Sequence, residues 1–307
     1  MLSVSARPMA CIDRASSASR FASVRVKRFR RGIRIARNRV VEQILVHNEE
    51  KKMRFTISIA AVTGLAFAAT LSTAQDSYMV SVDAPEHIER AVESDARTDE
   101  QRARDALRKP AEILALAGIE EGDYVIEFAA LGHYYTTMLV DAVGADGHVE
   151  MVDMPWTDRF GGDPARTFAT EHENASYTQV HYNEASFRND VDVVTMVLFY
   201  HDLMREAAEQ RVNTADMNAR VFAALKPGGA YLIVDHKAED GSGWRDAMTL
   251  HRIGAQTIID EVTAAGFELA VDSNLLANSA DDRTLSMRDD SIRGRTDRSV
   301  LLFRKPM

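Results

Sequence analysis

Cysteine is almost absent from this 307-residue chain, which contains only Cys11. A single cysteine excludes a disulfide framework within one chain, and it excludes a zinc site built from several cysteines. The nine histidines never occur at the H-x-x-x-H spacing that places two imidazoles on one face of a helix, so no metal ion is expected. Apolar residues make up 46% of the sequence, which is enough for a packed core.

Basic residues are scarce in most of the chain. Residues 1–52 hold 13 Lys/Arg and 4 Asp/Glu, a net charge of +9, whereas the whole chain carries −9. Residues 53–307 therefore carry −18, from 24 basic and 42 acidic side chains. A body this acidic repels phosphate backbones, which argues against a nucleic-acid partner.

One apolar run near the amino terminus predicts export. Residues 53–75, MRFTISIAAVTGLAFAATLSTAQ, combine a basic start at Arg54, an apolar stretch and the small residues Ser72-Thr73-Ala74. This pattern is typical of a cleaved signal peptide and predicts a periplasmic location. The alternative is an uncleaved membrane anchor, although the stretch is short and rich in small residues. Membrane contact is expected only through such an uncleaved segment.

The flanking segments do not belong to this signal. Residues 1–52 are rich in Arg and Ser, and three interpretations stay open: a basic tail that binds lipid or nucleic acid, a transit-like segment, or translation that starts at Met53. We favour the last, with residues 1–52 disordered or non-native, because Met53 begins a complete signal. Residues 76–96 are acidic and are predicted to form a solvated linker.

The remaining residues, 97–307, alternate between helical and strand patterns. Strands are predicted at 124–128, 148–153, 176–182, 191–200, 230–236, 267–275 and 299–305, and helices at about 98–117 (divided by Pro110), 134–143, 164–172, 207–225 and 256–265. The continuous apolar run VDVVTMVLFY at 191–200 is typical of a fully buried central strand. The alternation predicts an α/β fold, a seven-stranded, mostly parallel sheet with helices on both faces.

Two predicted strands end in carboxylates. Glu127 closes YVIEF and Asp153 closes HVEMVD, the arrangement of the first βαβ unit of a Rossmann-like, nucleotide-binding domain. The loop after YVIEF departs from that pattern. Ala129, Leu131 and His133 stand where a G-x-G-x-G motif would have glycines, and only Gly132 remains. Glycine normally serves here for a tight turn and for close approach of a cofactor to the backbone.

Four segments resemble, in order, the motifs of class I S-adenosylmethionine-dependent methyltransferases: YVIEF with its loop and YYT, HVEMVD, DVVTMVLFYHDL, and LKPGGAYLIVDH. Finer features, such as RDALRKPAEILALAG and IRGRTDRSVLLFRKP, look like a group of exported bacterial methyltransferases of unassigned substrate. The resemblance implies a Rossmann-like sheet whose last strand is antiparallel. It also implies S-adenosylmethionine bound at the carboxyl ends of the early strands.

The resemblance also implies roles for individual residues. Cofactor contacts are expected at Glu127, Ala129, Gly132, Asp153 and Glu184, with Glu184 or its neighbour Asn183 near the adenine. His201 is expected to act as the catalytic base, with Asp202 orienting it, because both follow the fourth strand. Substrate contacts are expected at Tyr135, Asp235 and His236. For His251-Arg252, a substrate contact competes with a structural salt bridge, which we favour.

The resulting interpretation is a methyltransferase that acts on a small molecule. The alternative is a non-catalytic ligand-binding or scaffold protein on the same fold, which the altered loop and the predicted export both favour.

The amino-terminal interpretation is directly testable. If translation starts at Met53 and the signal is cleaved, the mature protein from its native host should begin near Gln75, and deletion of residues 1–52 should not impair folding or export. Amino-terminal sequencing of the mature protein checks the prediction. A mature chain that begins upstream of Met53 would contradict it.

Overall fold

The sheet has seven strands, and it is seen in a computed structural model that describes residues 83–307. The strands are β1 (Tyr124–Phe128), β2 (His148–Asp153), β3 (Ala175–Gln179), β4 (Val191–Val197), β5 (Leu225–His236), β6 (Glu268–Ser273) and β7 (Arg298–Arg304). Their order is β3-β2-β1-β4-β5-β7-β6. Strand β7 runs antiparallel to both β5 and β6, and β1 to β5 pair in parallel. The predicted fold class, including the antiparallel last strand, is confirmed.

Alternation along β1 shows how the sheet is covered on both faces. Val125 belongs to one hydrophobic cluster and its neighbour Ile126 to another, because successive side chains of a strand point to opposite faces. The helices are α1 (Glu86–Glu93), α2 (Asp99–Arg102), α3 (Asp105–Arg108), α4 (Pro110–Ala117), α5 (Tyr134–Val143), α6 (Asp158–Glu171), α7 (Thr214–Ala224) and α8 (Ala255–Ala264). Apolar residues of α1, α4 and α5 line the first cluster, whereas those of α7 and α8 line the second. Both faces are therefore buried, as a parallel sheet requires.

The helical segment before β1 is interrupted at Pro110, as predicted, and at a second point that was not predicted. Pro110 begins α4 after Lys109, whose φ of 45° is left-handed. Gly118 ends α4 with φ 76°, the usual left-handed glycine stop. A second interruption separates α2 from α3, so the single pattern at 98–117 corresponds to three short helices.

Three predictions about other segments are wrong. The solvated linker was predicted to reach residue 96, yet α1 buries Ile88, Ala91 and Val92 in the core; its acids lie on the outer face of an amphipathic helix. The helix predicted from 207 starts only at 214, because the Asn213 side chain accepts a hydrogen bond from the backbone N–H of Asp216 and caps it there. The helix predicted at about 164–172 begins earlier, since α6 starts at 158.

The predictions for residues 1–82, which include the basic segment and the signal, lie outside the described residues. Among residues 83–307, no helix combines the length and the apolar character needed to cross a membrane.

A buried ion pair ties the long segment between β6 and β7 to the end of β5. The Arg252 side chain is completely buried and donates two hydrogen bonds to Asp281, at 2.9 and 3.1 Å. It also donates to the carbonyl oxygens of Leu285, at 2.7 Å, and Lys237, at 3.0 Å. Arg252 thereby anchors the segment that precedes β7, and the structural interpretation of this arginine is confirmed.

We expect Arg252→Met to lower the free energy of unfolding by about 3–5 kcal/mol, because it leaves the Asp281 carboxylate buried without its partner. Arg90→Met is the matched control: the Arg90–Glu121 pair is 57% and 64% exposed, and such pairs contribute about 0–1 kcal/mol. Urea denaturation measures both changes. Equal losses in the two variants would show that the buried pair does not anchor this segment.

Candidate functional site

The candidate residues gather where parallel strands end. Strands β1, β2, β4 and β5 present their carboxyl ends at one edge of the sheet, and ligands of open α/β sheets bind at this edge. Glu127 and Asp153 lie at the ends of β1 and β2, and Asp235 and His236 are the last residues of β5. His201 and Asp202 lie in a short 3₁₀ turn, Tyr200–Leu203, that follows β4. The structure thus separates a β1–β2 side, predicted to hold cofactor, from a β4–β5 side.

The loop after β1 has the backbone of a glycine loop although it lacks the glycines. Ala129, Gly132 and His133 have φ values of 55°, 74° and 51°, all in the left-handed region that glycine adopts most easily. Leu131 does not share this conformation. Its side chain faces α6, where a Cβ added to Gly161 would lie 3.4 Å from Leu131 Cδ2. Ala129 and His133 therefore adopt the left-handed turn that glycine would give, and the Leu131 side chain packs toward α6.

Two carboxylates beside this loop are buried with neutral partners. Glu127 is 6% exposed and accepts a hydrogen bond from the Thr136 hydroxyl at 2.6 Å. Asp153 is 1% exposed and accepts one from the backbone N–H of Ala130 at 3.0 Å. Burial raises the pKa of Glu127 to about 8, with a further contribution from Asp153, and burial raises the pKa of Asp153 to about 6. Neither carboxyl group has a cationic partner, so both can accept hydrogen bonds from ligand hydroxyl groups or interact with a positively charged ligand.

Asp235, not Asp202, orients His201. Asp235 Oδ1 lies 2.7 Å from His201 Nδ1, and Asp235 Oδ2 accepts the backbone N–H of His201 at 2.8 Å. The predicted pairing with Asp202 is corrected, because Asp202 Oδ2 lies 3.6 Å from His201 Nε2, beyond hydrogen-bond length. Burial by itself would lower the pKa of His201, but the Asp235 and Asp202 carboxylates together outweigh it, and the net shift of the pKa is upward. In the neutral ring, which donates Nδ1–H to Asp235, the lone pair of His201 is at Nε2.

Asp202 lies between two histidines at the mouth of this site. Its Oδ1 is 3.6 Å from His251 Nδ1 and 2.9 Å from Arg205 Nη1. Burial opposes ionisation of Asp202, but His251, His201 and Arg205 together lower its pKa. The side chains of Asp202 and His251 are 16% and 12% exposed, against 3% for His201. Asp202 and His251 are therefore the members of this group that solvent reaches.

Two of the three predicted substrate contacts, Asp235 and Tyr135, have structural partners instead, and the third, His236, has a partner at one ring nitrogen only. The Asp235 carboxylate is 1% exposed and is occupied by His201 and by the backbone N–H of His236, so it positions other groups and does not face a substrate. Tyr135 is buried in the core, edge-on to Tyr134, which is a packing role. His236 bonds Thr296 through Nδ1 at 2.6 Å, while its buried Nε2 has no hydrogen-bond partner within residues 83–307.

The predicted adenine contact, Glu184, is exposed on the turn after β3, where its backbone N–H bonds the carbonyl oxygen of His181. It lies at the carboxyl end of its strand, and its contact with a cofactor stays a prediction.

The position of His251 beside Asp202 was not predicted from the sequence. The histidine was judged together with Arg252 as a structural pair, and only Arg252 has that role. The two side chains have different partners: His251 lies beside Asp202 and Arg252 pairs with Asp281. Thr136, whose hydroxyl donates a hydrogen bond to Glu127, was not predicted as a site residue. It lies on the first turn of α5, nine positions after Glu127, and belongs to no recognisable sequence motif.

No family model matches the chain, and no curated protein matches it. Solved S-adenosylmethionine-dependent methyltransferases are similar in structure. One from Mesorhizobium loti is 11% identical, covers 66% of this chain and 100% of its own, and has a TM-score of 0.49. One from Aquifex aeolicus is 13% identical and covers 66% and 97%, with a TM-score of 0.45. Aeropyrum pernix fibrillarin, with natively bound S-adenosyl-L-methionine, is 15% identical and covers 65% and 76%, with a TM-score of 0.43. Each TM-score is below 0.5, so the fold assignment rests on the strand order and directions.

The left-handed loop predicts a gain from glycine at position 129. Ala129→Gly should raise the free energy of unfolding by up to about 1 kcal/mol, because relief of a left-handed backbone is worth about 1–2 kcal/mol and the added unfolded-state entropy costs about 0.4–1 kcal/mol. Leu131→Gly, at a position without left-handed φ, is the control and should only destabilise. Chemical denaturation measures both. A loss of stability in Ala129→Gly as large as in Leu131→Gly would show that the loop is not strained.

Proposed function

We propose that the chain is an S-adenosylmethionine-dependent methyltransferase that acts on a small molecule. One observation carries the proposal: the two buried carboxylates at the ends of β1 and β2, Glu127 and Asp153, flank a loop with the left-handed backbone of a glycine loop. This combination is the cofactor-binding arrangement of Rossmann-like domains. The motifs that resemble class I methyltransferases supply the identity of the cofactor.

The residues present fit this cofactor. S-adenosylmethionine carries two ribose hydroxyls and a sulfonium, and carboxylates are suitable partners for both. A Cβ added to Gly132 would meet nothing within 4 Å, so the space over the loop is open to a ligand. When bound, the cofactor would supply an electrophilic methyl group, whose carbon–sulfur electron pair stays with sulfur as the acceptor bonds the carbon.

The β4–β5 side suits the acceptor. His201 presents its Nε2 lone pair there, and Asp235 holds the ring in a fixed orientation. That lone pair can take the acceptor's proton directly, as the sequence predicts, or hold a cation that lowers the acceptor's pKa. Entry past the largely buried Asp202 and His251 favours a small acceptor.

The loop no longer supports the alternative of a non-catalytic protein. That interpretation depended on lost glycines, whereas the backbone at Ala129 and His133 keeps the glycine-loop conformation. Export to the periplasm is part of the proposal and depends on the signal pattern of residues 53–75.

The test is calorimetric titration of the full chain with S-adenosylmethionine and S-adenosylhomocysteine. We expect saturable binding with release of a proton near pH 7, because Glu127, with a pKa of about 8, is mostly protonated in the free protein and added positive charge lowers that pKa. Titrations in buffers of different ionisation enthalpy count the protons. S-adenosylhomocysteine, which lacks the sulfonium charge, should release fewer.

Two isosteric variants separate the roles of the acids. Glu127→Gln should abolish the proton release. Asp153→Asn keeps an oxygen that can accept from Ala130 but loses the charge, and it should weaken binding by about 10- to 150-fold, which corresponds to about 1.5–3 kcal/mol for a charge-assisted bond. Wild-type protein that binds neither ligand, and whose melting temperature neither ligand raises, would refute the proposed function.

A further inference from the structure

His201, Asp202 and His251 form a group of metal-binding side chains within residues 83–307. Each offers one ligand atom, and these atoms all lie within 4.8 Å of one another. We propose that the three side chains bind one divalent cation of the zinc type, with a fourth position left for the acceptor. Histidine spacing along the chain predicted no metal; the group forms only because the end of β4 and the loop after β5 meet at one edge of the sheet.

The distances between the ligand atoms suit a shared ion better than direct bonding. Asp202 Oδ2 lies 3.6 Å from His201 Nε2, and Asp202 Oδ1 lies 3.6 Å from His251 Nδ1. Both separations are too long for hydrogen bonds. Two ligands at about 2.0–2.1 Å from a tetrahedral zinc ion are about 3.4 Å apart. The His201 Nε2–Asp202 Oδ2 separation is therefore a few tenths of an ångström from that value, and the three ligand atoms as a group, all within 4.8 Å of one another, need a small further movement of His251.

Asp235 fixes His201 in the state that a metal requires. Because Asp235 Oδ1 accepts a hydrogen bond from His201 Nδ1–H at 2.7 Å, the lone pair of the neutral ring is at Nε2, the atom that faces Asp202. A carboxylate behind a ligating histidine is the usual outer partner in metal sites, where it fixes the tautomer and raises the basicity of the ligand. Asp235 also accepts the backbone N–H of His201 at 2.8 Å, so the ring and the chain are held together.

The backbone around His251 is strained and firmly held. Its φ of 53° is left-handed, and such conformations persist where the surrounding structure enforces them, often at functional sites. On its carboxyl side, Arg252 is locked to Asp281, and the backbone N–H of Ile253 donates to the carbonyl oxygen of His236 at 2.9 Å. The loop is thus fixed to the end of β5, and it directs His251 toward Asp202.

The set of donors selects the kind of ion. Two imidazoles and one carboxylate suit zinc and related transition metals better than calcium or magnesium, and three protein ligands leave the open position of a catalytic site. The positive charges of two nearby arginines would disfavour binding of a cation. Arg205 occupies Asp202 Oδ1 at 2.9 Å, which leaves Oδ2 as the ligand, and the charge of Arg288 acts on His201.

The role of the ion rests on the proposed function, whereas its binding does not. An acceptor bound in the fourth position would have a lower pKa, because the cation stabilises the deprotonated form. Its proton would pass to solvent, since the ion occupies the His201 lone pair. The acceptor's electron pair would then bond the transferred carbon while the carbon–sulfur pair stays with sulfur.

The experiment uses the full chain, freed of metal by chelation and dialysis. Calorimetric titration with Zn²⁺ and visible absorption on titration with Co²⁺ should each show one equivalent bound, with the intense bands of tetrahedral cobalt. Asp202→Asn and His251→Gln should each weaken binding by about 100-fold or more and remove the bands, and Asp235→Asn should weaken it by about 10- to 100-fold. His148→Ala, at the amino end of β2, is the control and should bind as wild type.

Circular dichroism and melting temperature establish that each variant is folded. If folded wild-type protein binds neither ion saturably, or if Asp202→Asn and His251→Gln bind as wild type does, the metal site is refuted. The cofactor titration is independent of this result. Cofactor binding without metal binding would leave the methyltransferase proposal standing with His201 as the base, and metal binding without cofactor binding would uphold the ion site and refute its role in methyl transfer.

Discussion

The hydrogen bonds of the Asp235 carboxylate are the interaction on which the β4–β5 side of the site depends. It bonds His201 through both the ring and the backbone, and it also accepts the backbone N–H of His236 at 2.7 Å. These bonds join the turn after β4 to the end of β5, fix the tautomer of His201 and set its distance to Asp202. Three hydrogen-bond donors offset the cost of burying this carboxylate. Asp235 therefore both connects the turn after β4 to β5 and holds the His201 ring in its orientation.

On the β1–β2 side, where the cofactor is proposed to bind, the buried carboxylates have few compensating partners. Glu127 and Asp153 are buried with a hydroxyl and an amide as partners, in contrast to the buried pair of Arg252 with Asp281. Because burial raises the pKa of Glu127 to about 8, ionisation of this group opposes folding: its contribution is harmless below the ordinary pKa of 4.5 and grows as pH rises toward 8. A positively charged ligand beside Glu127 would lower this pKa. The unfavourable free energy of ionising the buried carboxyl group would then decrease on binding, which favours the bound state.

Left-handed backbone recurs at the functional edge of the sheet. Ala129 and His133 adopt it in the loop after β1, Leu198 adopts it directly after β4, and His251 adopts it in the loop after β5. Non-glycine residues pay about 1–2 kcal/mol for this conformation, and they keep it only where neighbouring contacts enforce it. The contacts are visible: Asp153 bonds Ala130, and Ile253 bonds the end of β5. Four of the seven left-handed non-glycine residues among residues 83–307 thus lie where ligands are proposed to bind, and the other three are Lys109, Asp190 and Arg283.

The sequence by itself determined the sheet and the places where chemistry could occur. Apolar runs such as 191–200 and the strand-end acids Glu127 and Asp153 are local signals, and local signals give strands, their order of appearance and their polar ends. Tertiary structure decided which groups meet. Asp235 replaced Asp202 as the partner of His201, and His251 joined the site from a loop, because such contacts depend on how distant strands and loops are brought together. The conformation of the altered loop was also decided there, since the hydrogen bond from Ala130 to Asp153 holds a turn that the residue types alone disfavour.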